Sequence, residues 1–375
     1  MTIASQQSDK YLVWAVLVLG AMGVVAVYSA TAYLARTQPG SSAEGFLVQH
    51  LARLGVALGA MGLFSLIDYH WIARVGRAAL IGALVLLAVA GLVGVESGGA
   101  ARWLQLGPVS VQPSGLVRLA LVVYLAQLLV RKQEYIKSLE RSFLPVFFWI
   151  FLAVALIGWQ DLSTAAVVFG VAVLMCFVGR ASLLHLGGLG ALGVVLAGVL
   201  LVGSPERAVR IEAYLGRDLF PHTDTEQVQS TRGGGYQVQQ AQIAIALGGL
   251  TGVGPGKSTQ RDFLPAPYND FIFAIVAEEY GLLGAFALLA CLGVVLFRGY
   301  LRIARPAPDP LGLVLAVGLT TMLAVYGFVH AGVACGLLPA TGLPLPFVSY
   351  GGTSMFVSGT MAGILLNISR QSNIE

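Results

Sequence analysis

The sequence predicts an all-α polytopic membrane protein with about ten transmembrane helices and a long extracytoplasmic loop between the seventh and eighth. Three observations predict this class. The 375-residue chain is 57% hydrophobic and only 11% charged, with a mean hydropathy of +0.81, whereas soluble domains are about 25% charged. Several apolar stretches approach the roughly 20 residues that a spanning helix needs. The basic residues concentrate in short loops, which is the pattern of membrane orientation and not of nucleic-acid binding.

The apolar stretches place the spans in order along the chain. Pro113 opens the fourth span, since proline is favoured in the first turn of a helix. A polar start and a long first apolar run without a cleavage site predict no signal peptide. Residues 1–375 are therefore interpreted as one integral membrane domain, with 204–270 as its large outer loop. The predicted spans run near 12–32, 46–67, 77–95, 113–130, 143–159, 162–179, 184–203, 271–297, 311–333 and 351–368.

Lysine and arginine residues orient these spans. With the N-terminus inside, the short outer loops keep only Arg36 and Arg102, as expected from the excess of cations in cytoplasmic loops. Both termini are then cytoplasmic and the 204–270 loop lies outside, because long loops cross the membrane regardless of their charge. The predicted cytoplasmic cations are Lys10, Arg74, Arg77, Arg131, Lys132, Lys137, Arg141, Arg180, Arg298, Arg302, Arg305 and Arg370.

The outer loop contains a predicted surface helix near 238–250, followed by the glycine-rich turn 252–258. This turn is not a Walker A motif, because Thr251 stands where the first glycine is required and no strand precedes it. Its backbone N–H groups could face an anion beside Lys257 and Arg261, or the turn could simply be flexible. The sequence leaves both interpretations open.

Asp270 stands where this polar loop meets the apolar run that Phe271 opens. A carboxylate at this boundary is well placed as a general base for a lipid-borne substrate. The alternative is a helix N-cap, since aspartate is favoured at that position. Glu278 and Glu279 follow about two helical turns later. Buried acids in a membrane are functional or paired, so these two either support the site or join neighbouring helices.

Other polar residues fall inside predicted spans. Arg53 and Arg118 should face the bundle interior and have partners. Asp161 is either the partner of Arg118 or the cap of the sixth span. His330 is interpreted as a hydrogen-bonded packing residue, because no His or Cys offers metal spacing. The three cysteines are interpreted as small packing residues, and the irregular 341–354 stretch should be buried in protein or line a wet cavity.

Several unusual motifs resemble the FtsW/RodA (SEDS) family of peptidoglycan polymerases, in the same order along essentially the whole chain. They are GAARWLQLGPVSVQPS from Gly99, Asp161-Leu162 with Thr164, GYQVQQAQIAIALGGLTGVGPGKSTQRDFLPAPYNDFIFAIVAEEYG from residue 235, GLLPATGLPLPFVSYGGTS from Gly336, and the closing LLNISR. The segments GVGPGKSTQ and FLPAPYNDFIFAIVAEE are more similar to the division-type, FtsW-like branch than to the elongation branch.

This resemblance implies a glycosyltransferase that polymerises lipid II outside the bacterial cytoplasmic membrane, at the division septum, with Asp270 as the catalytic acid. It also implies a class B penicillin-binding transpeptidase as partner, together with other divisome proteins and membrane lipids. No cofactor is evident, although a divalent cation such as Mg²⁺ or Mn²⁺ would suit the diphosphate. The predicted substrate-binding residues are Arg102, Arg118, Arg210, Lys257, Ser258, Gln260 and Arg261; the predicted supporting residues are Gln112, Pro113, Asp161, Glu278, Glu279, Pro346, Ser349 and Gly351.

The chain departs from the family pattern at several positions. Gly115 replaces the usual acid, Arg118 the usual lysine, and His330 the usual asparagine; Trp159-Gln160 and Tyr268-Asn269 stand where Gln-Pro and His-Thr are usual. The missing acid puts an intramembrane carboxylate–cation pair in doubt. Two other functions fit the same architecture: a lipid II flippase, whose key acid should lie at the midplane, and a non-enzymatic divisome scaffold, for which Asp270 should be dispensable.

Overall fold

The computed structural model describes residues 8–32, 42–97, 100–107, 109–216 and 233–372. Within these ranges ten helices follow the ten predicted spans in order, and two further helices lie in the loop between the seventh and eighth spans. In chain order the α-helices are α1 (Lys10–Thr31), α2 (Ala43–Leu66), α3 (Tyr69–Val93), α4 (Pro113–Arg131), α5 (Leu144–Gln160), α6 (Leu162–Val178), α7 (Leu183–Val202), α8 (Pro205–Leu215), α9 (Gly233–Gly248), α10 (Ile272–Arg298), α11 (Pro310–Ala334) and α12 (Gly352–Gln371).

The described helices include 7 that are long and apolar enough to cross a membrane, and α5 and α6 are shorter apolar helices. Both have 17 residues, which is at the lower limit of a span. Helix α12 has 20 residues but falls outside both groups. Every residue of α12 from Val357 to Ser369 is buried. Because α12 meets protein and not lipid along this stretch, it does not need a uniformly apolar surface.

The start of α3 differs from the prediction. The helix begins at Tyr69, eight residues before the predicted boundary, with the Asp68 carboxylate accepting the N–H of His70 at 2.9 Å. Arg74 and Arg77 therefore lie inside the helix and not in a loop. Both side chains are exposed. Long cationic side chains can extend along apolar surface to reach the polar interface, so a helix can begin before its apolar pattern does.

Helices α4 and α11 form the centre of the bundle. In each of them 78% of the most apolar window is buried, against 11% in α7, which lies at the periphery. Helix α11 contacts α4, α6, α10 and α12, and α12 packs along α2. Small residues allow that last pair to approach closely: a Cβ atom at Gly359 would lie 2.1 Å from the Ala57 carbonyl oxygen, and one at Gly363 would lie 2.6 Å from that of Met61. Close helix approach at small residues is typical of membrane bundles.

A small antiparallel sheet, which the all-α prediction omitted, lies in the connection between α3 and α4. Its strands are β1 (Val95–Ser97), β2 (Ala100–Leu106) and β3 (Val109–Val111), in the order β1-β2-β3. Immediately after β3 the backbone N–H of Gln112 donates to Thr353 Oγ1 at 3.1 Å. This bond joins the sheet to the first turn of α12, on the side of the bundle that carries the loop before α10.

Helix α1 packs against the irregular segment before α12. A Cβ atom at Gly23 would lie 2.8 Å from Val348 Cα and 2.9 Å from the Phe347 carbonyl oxygen, so only glycine allows this approach. Phe347 has a φ of 63°, a left-handed conformation that is uncommon for a bulky residue. Its side chain is only 1% exposed, and this burial holds the backbone in place.

Helix α10 is broken at Gly281, which has φ 65° and ψ −163°. The break frees backbone groups on both sides, and the segment after α9 satisfies them. The N–H groups of Leu282 and Leu283 donate to the carbonyls of Gly249 and Leu250 at 2.9 and 3.3 Å. The carbonyls of Glu278 and Glu279 accept from Val253 and Gly254 at 2.9 and 3.0 Å. Irregular backbone at membrane depth is tolerated when protein satisfies it in this way.

Candidate functional site

Asp270 lies in a tight turn immediately before α10. The N–H groups of Asn269 and Asp270 both donate to the Ala266 carbonyl, at 3.1 and 3.2 Å. The helix begins at Ile272, and Phe271 occupies the N-cap position without a side-chain capping bond. Asp270 therefore precedes the N-cap position, which weakens the helix-cap alternative. Its carboxylate is half-buried, and a Cβ atom at Gly342 would lie 4.0 Å from Asp270 Oδ1.

The irregular segment before α12 holds the turn that carries Asp270. The Tyr350 N–H donates to the Tyr268 carbonyl at 3.0 Å, and Ser349 Oγ donates to the Asn269 carbonyl at 2.7 Å. Ser349 Oγ also accepts the N–H of Leu345 at 2.9 Å. The structure thus brings the predicted supporting residue Ser349 against the residue that precedes Asp270.

The other predicted supporting residues of this segment lie close by. Pro346 is buried, and the N–H of Gly351, at the N-cap of α12, donates to the Ser349 carbonyl at 2.9 Å. Pro113 occupies the first turn of α4 and is also buried. These residues shape the two backbone segments that border the start of α12.

An aromatic and cationic cluster lies beside Asp270. The Tyr268 and Tyr350 rings meet edge to face with centroids 5.6 Å apart, and the Arg53 guanidinium carbon lies 3.9 Å from the centre of the Tyr350 ring. His50 stacks on the same ring at 6.0 Å. Burial raises the pKa of the Tyr268 phenol above its usual range, and Tyr350 and Asp270 add to the rise. Tyr268 therefore stays a neutral hydroxyl at working pH.

From the sequence, Arg53 is predicted only as an intramembrane polar residue, and His50 and Tyr350 are not among the candidate site residues. The sequence does contain a signal for His50 and Arg53, because positions three apart on a helix share a face. His50 and Arg53 form such a polar pair on α2, which is largely apolar after Arg53. Tyr350 carried no comparable signal, since its place in the cluster depends on the path of the irregular segment.

Arg118 is buried in α4, with 5% of its surface exposed. Its Nη2 lies 3.5 Å from Ser354 Oγ in the first turn of α12, and its guanidinium carbon lies 4.1 Å from the centre of the Tyr326 ring. Gly115, one turn earlier, faces α12: a Cβ atom there would lie 3.4 Å from Thr353 Cγ2. Among the described contacts a hydroxyl and a ring, in place of a carboxylate, accompany this cation.

Asp161 is not the partner of Arg118. Its Oδ1 accepts the N–H groups of Ser163 and Thr164 at 3.0 and 3.2 Å, and its Oδ2 accepts the Thr164 hydroxyl at 2.8 Å. Asp161 is the N-cap of α6. Of the two sequence interpretations, the structure selects the cap.

Glu278 and Glu279 are adjacent buried acids in the N-terminal part of α10, with 0% and 1% exposure. Glu278 accepts the Ser258 hydroxyl at 2.5 Å, the Thr259 N–H at 2.8 Å and the Gln260 N–H at 3.3 Å. Glu279 accepts the Ser258 N–H at 3.3 Å and a short hydrogen bond from the Ser29 hydroxyl of α1. These residues therefore join the loop, α10 and α1; their supporting role in the site stays a prediction.

The glycine-rich turn does hold acidic side chains, but they belong to the protein. Gly252, Gly254 and Gly256 all have positive φ. The N–H groups that follow them, from Ser258 to Gln260, donate to Glu278 and Glu279. The two interpretations of the turn, an open anion site and a flexible loop, are both replaced by an internally filled cradle. Ser258 and Gln260 donate these groups to the cradle.

The other predicted substrate-binding cations lie in different surroundings. Arg261 is packed inside: its Nη1 donates to the carbonyl and hydroxyl of Ser29 at 3.0 and 3.2 Å, and its Nε lies 3.6 Å from Asp262. Lys257 is exposed, and Arg210 is half-buried on α8. Arg102 lies on β2. Arg261 therefore stabilises the cradle, whereas Lys257 remains accessible to a ligand.

The described residues contain no group of three or more His, Cys, Asp or Glu side chains that could hold a metal ion. The half-buried Asp270 thus lies outside any such protein cage within this part of the chain. All three cysteines are free, and Cys335 is exposed, unlike the packing residue that the sequence predicted.

The comparisons with known proteins cover the chain almost end to end. Residues 10–374 match the model of the FtsW, RodA and SpoVE family, described as cell cycle proteins. The chain belongs to this family. Stage V sporulation protein E of Bacillus subtilis is 38% identical over 99% of this chain and 100% of its own length. The probable peptidoglycan glycosyltransferase FtsW of Geobacter metallireducens is 35% identical over 97% of this chain and 95% of its own.

Solved structures of the family share the fold. A chain from a peptidoglycan synthase complex that coordinates polymerisation and crosslinking superposes with a TM-score of 0.77 at 27% identity, with 100% of both chains covered. The rod shape determining protein RodA of Thermus thermophilus superposes with a TM-score of 0.68 at 26% identity, with 98% of both chains covered. The all-α membrane fold predicted from the sequence is therefore confirmed.

Proposed function

We propose that this family member is a peptidoglycan glycosyltransferase that polymerises lipid II on the outer side of the cytoplasmic membrane. Relatives over the full length of the chain carry that activity in their names. The observation that carries the proposal is the position of Asp270. Its half-buried carboxylate stands at the start of a spanning helix, between a polar loop and the cation-containing interior of the bundle.

Asp270 is the general base in this proposal. Its carboxylate takes the proton from the 4-hydroxyl of the acceptor sugar as that oxygen attacks the anomeric carbon of the donor chain. The new carbon–oxygen bond replaces the bond to the diphosphate, and undecaprenyl diphosphate leaves with the bonding electrons. Tyr268, Asn269 and Ser349 hold the turn in which Asp270 lies.

Cations near the start of α12 stabilise the leaving group. Arg118 reaches Ser354 in the first turn of that helix. Arg53 lies beside Gly352, where a Cβ atom would come 3.6 Å from Arg53 Nε. The N-terminus of α12 adds its own partial positive charge. Charge placed in advance where negative charge develops lowers the barrier in a site with little water. A divalent ion bound to the diphosphate itself would add to this stabilisation.

The partner is a class B penicillin-binding transpeptidase that cross-links the new glycan strand, because a structural relative acts in a complex that couples polymerisation to crosslinking. Both termini are cytoplasmic, from the distribution of lysine and arginine. Relatives named FtsW support a place at the division septum, in agreement with a family described as cell cycle proteins.

The test is lipid II polymerisation by the purified protein, with and without its transpeptidase. Asp270→Asn preserves shape but cannot accept a proton, so we expect a loss of about 10²–10⁴ in rate with unchanged thermal stability and partner binding. Glu134→Gln is the matched control, since Glu134 is exposed in the connection after α4 and its loss should leave the rate unchanged. Polymerisation by Asp270→Asn near the wild-type rate would refute the catalytic role and favour a flippase or a scaffold.

A further inference from the structure

His330 presents an unused hydrogen-bond acceptor in the interior of the bundle. It lies near the outer end of α11 and is 1% exposed. Its Nδ1 is 2.8 Å from the Leu343 carbonyl oxygen. Because a carbonyl only accepts, Nδ1 carries the proton, and Nε2 of the neutral ring is left as an acceptor. Within the described ranges Nε2 is buried without any hydrogen-bond partner.

Two more buried polar atoms without described partners lie on or against the same face of α11. Tyr326 is four residues before His330 on α11, so the two side chains share a helix face. Its hydroxyl has no partner among the described residues, and neither does Arg118 Nε, whose guanidinium group covers the Tyr326 ring at 4.1 Å. Buried polar groups almost always have partners. Three such atoms in a row indicate that a polar molecule belongs there.

The row begins beside Asp270. His330 binds the carbonyl of Leu343, and the preceding residue, Gly342, faces Asp270 Oδ1. The short segment 342–343 therefore separates the histidine from the proposed general base. Asn269 Oδ1 and Thr341 Oγ1, on the two segments that border Asp270, are also buried without described partners. The unsatisfied polar atoms thus extend from the reacting end of the site inward to Arg118.

The chemistry of the row specifies its ligand. It offers an acceptor at His330, a hydroxyl at Tyr326 and a cationic donor at Arg118. The complement is a molecule with a hydroxyl or amide N–H at one end and an anionic group at the other, as in a phosphorylated amino sugar. A packing role alone accounts for the bond from His330 Nδ1 but not for the empty Nε2.

We propose that His330 is a positioning residue whose Nε2 accepts a hydrogen bond from a sugar hydroxyl or acetamido N–H of the lipid-linked substrate, between Asp270 and Arg118. This proposal rests on the proposed function. It also gives a role to His330, one of the positions at which this chain differs from the usual family pattern. The sugar would be held with its phosphate toward Arg118 and its reacting end toward Asp270.

Two amide substitutions test the roles of the two ring nitrogens of His330 separately. In His330→Asn the amide can reach the Leu343 carbonyl, as Nδ1 does, but no atom occupies the Nε2 position. In His330→Gln the longer side chain can present its oxygen near the Nε2 position but loses the bond to Leu343. We therefore expect His330→Asn to keep the wild-type melting temperature and His330→Gln to lower it.

The variant that keeps the wild-type melting temperature should have the larger rise in KM. We expect KM for lipid II to rise about 3- to 10-fold in His330→Asn, the range for one lost neutral hydrogen bond, and to stay nearer the wild-type value in His330→Gln. His330→Phe should show both defects. These measurements use the purified full chain with its transpeptidase, alongside direct binding of lipid II in detergent.

A purely structural histidine, or one whose Nε2 meets only a water molecule, predicts that KM and binding follow the melting temperature. That result, with His330→Asn binding lipid II as tightly as the wild type, would overturn the proposal while leaving the proposed function intact. Failure of the wild-type protein itself to polymerise lipid II would instead overturn the proposed function, and the positioning role with it.

Discussion

Gly281 offers a direct test of the broken helix, because alanine fits neither its backbone conformation nor its surroundings. At φ 65° and ψ −163° the residue occupies a region used almost only by glycine. A Cβ atom there would lie 2.4 Å from both the Gly252 nitrogen and the Leu250 oxygen. Those atoms are backbone and cannot rotate away. In Gly281→Ala the segment 249–254 must therefore move off α10.

The cost of this substitution follows from two terms. The backbone conformation alone costs about 1–3 kcal/mol for a residue with a side chain. Separating the segments also breaks the four cross-bonds around the kink, each worth about 0.5–1.5 kcal/mol, which amounts to about 2–6 kcal/mol. Against a typical total stability of about 5–15 kcal/mol, Gly281→Ala should lower the melting temperature by several degrees and reduce lipid II polymerisation.

Gly293→Ala is the matched control for this experiment. Gly293 lies in the same helix, and no atom outside its own turn of helix lies within 4 Å of the position of its Cβ. Alanine is favoured over glycine in a helix interior by about 1 kcal/mol, so this variant should be as stable as the wild type or slightly more stable. Thermal unfolding in detergent measures both variants. A Gly281→Ala protein with wild-type stability and activity would refute the account of the break.

Three further predictions concern the orientation and the cations. In a cysteine-free background, a cysteine is introduced at position 230, which lies outside the described residues, or at position 138. An impermeant thiol reagent applied to intact cells should label position 230 and spare position 138. The opposite pattern would show that the topology is inverted. Lys257→Gln should raise KM for lipid II without loss of stability, whereas Arg261→Gln should lower the melting temperature, because only Arg261 is held inside the protein; an unchanged KM in Lys257→Gln would remove that residue from the site. Arg118→Leu should abolish polymerisation and Arg118→Lys should retain a substantial part of it, since the diphosphate requires a cation. Full activity of the leucine variant would show that no cation is required at position 118.

The helices could be predicted from the sequence because lipid demands long apolar segments whose backbone bonds are satisfied internally. The start of α10 was predicted within one residue, at 271 against the observed Ile272. The start of α3 was not, because arginines interrupt its apolar pattern. The strands between α3 and α4 were missed for a different reason: the search for long apolar helices does not detect strands of three to seven residues.

The site was less predictable than the helices. Asp270, Arg118 and the two glutamates could be named, because a charge within or beside a span needs a reason to be there. Their partners could not be named. The cradle around Glu278 depends on a chain reversal that brings residues 258–260 over α10, and no local pattern encodes that contact. The unpartnered nitrogen of His330 likewise becomes visible only when its neighbours are known.

The contacts of α1 have a consequence for how the chain assembles. Within residues 1–375, α1 is synthesised well before the segments that it packs against. Gly23 packs against residues 347–348, and Ser29 binds Glu279, 250 positions later in the sequence. Contacts between such distant segments form slowly and only after the intervening chain is in place. Helix α1 must therefore wait in the bilayer, with Gly23 and Ser29 unmatched, until the segments that contain Glu279 and residues 347–348 have been synthesised.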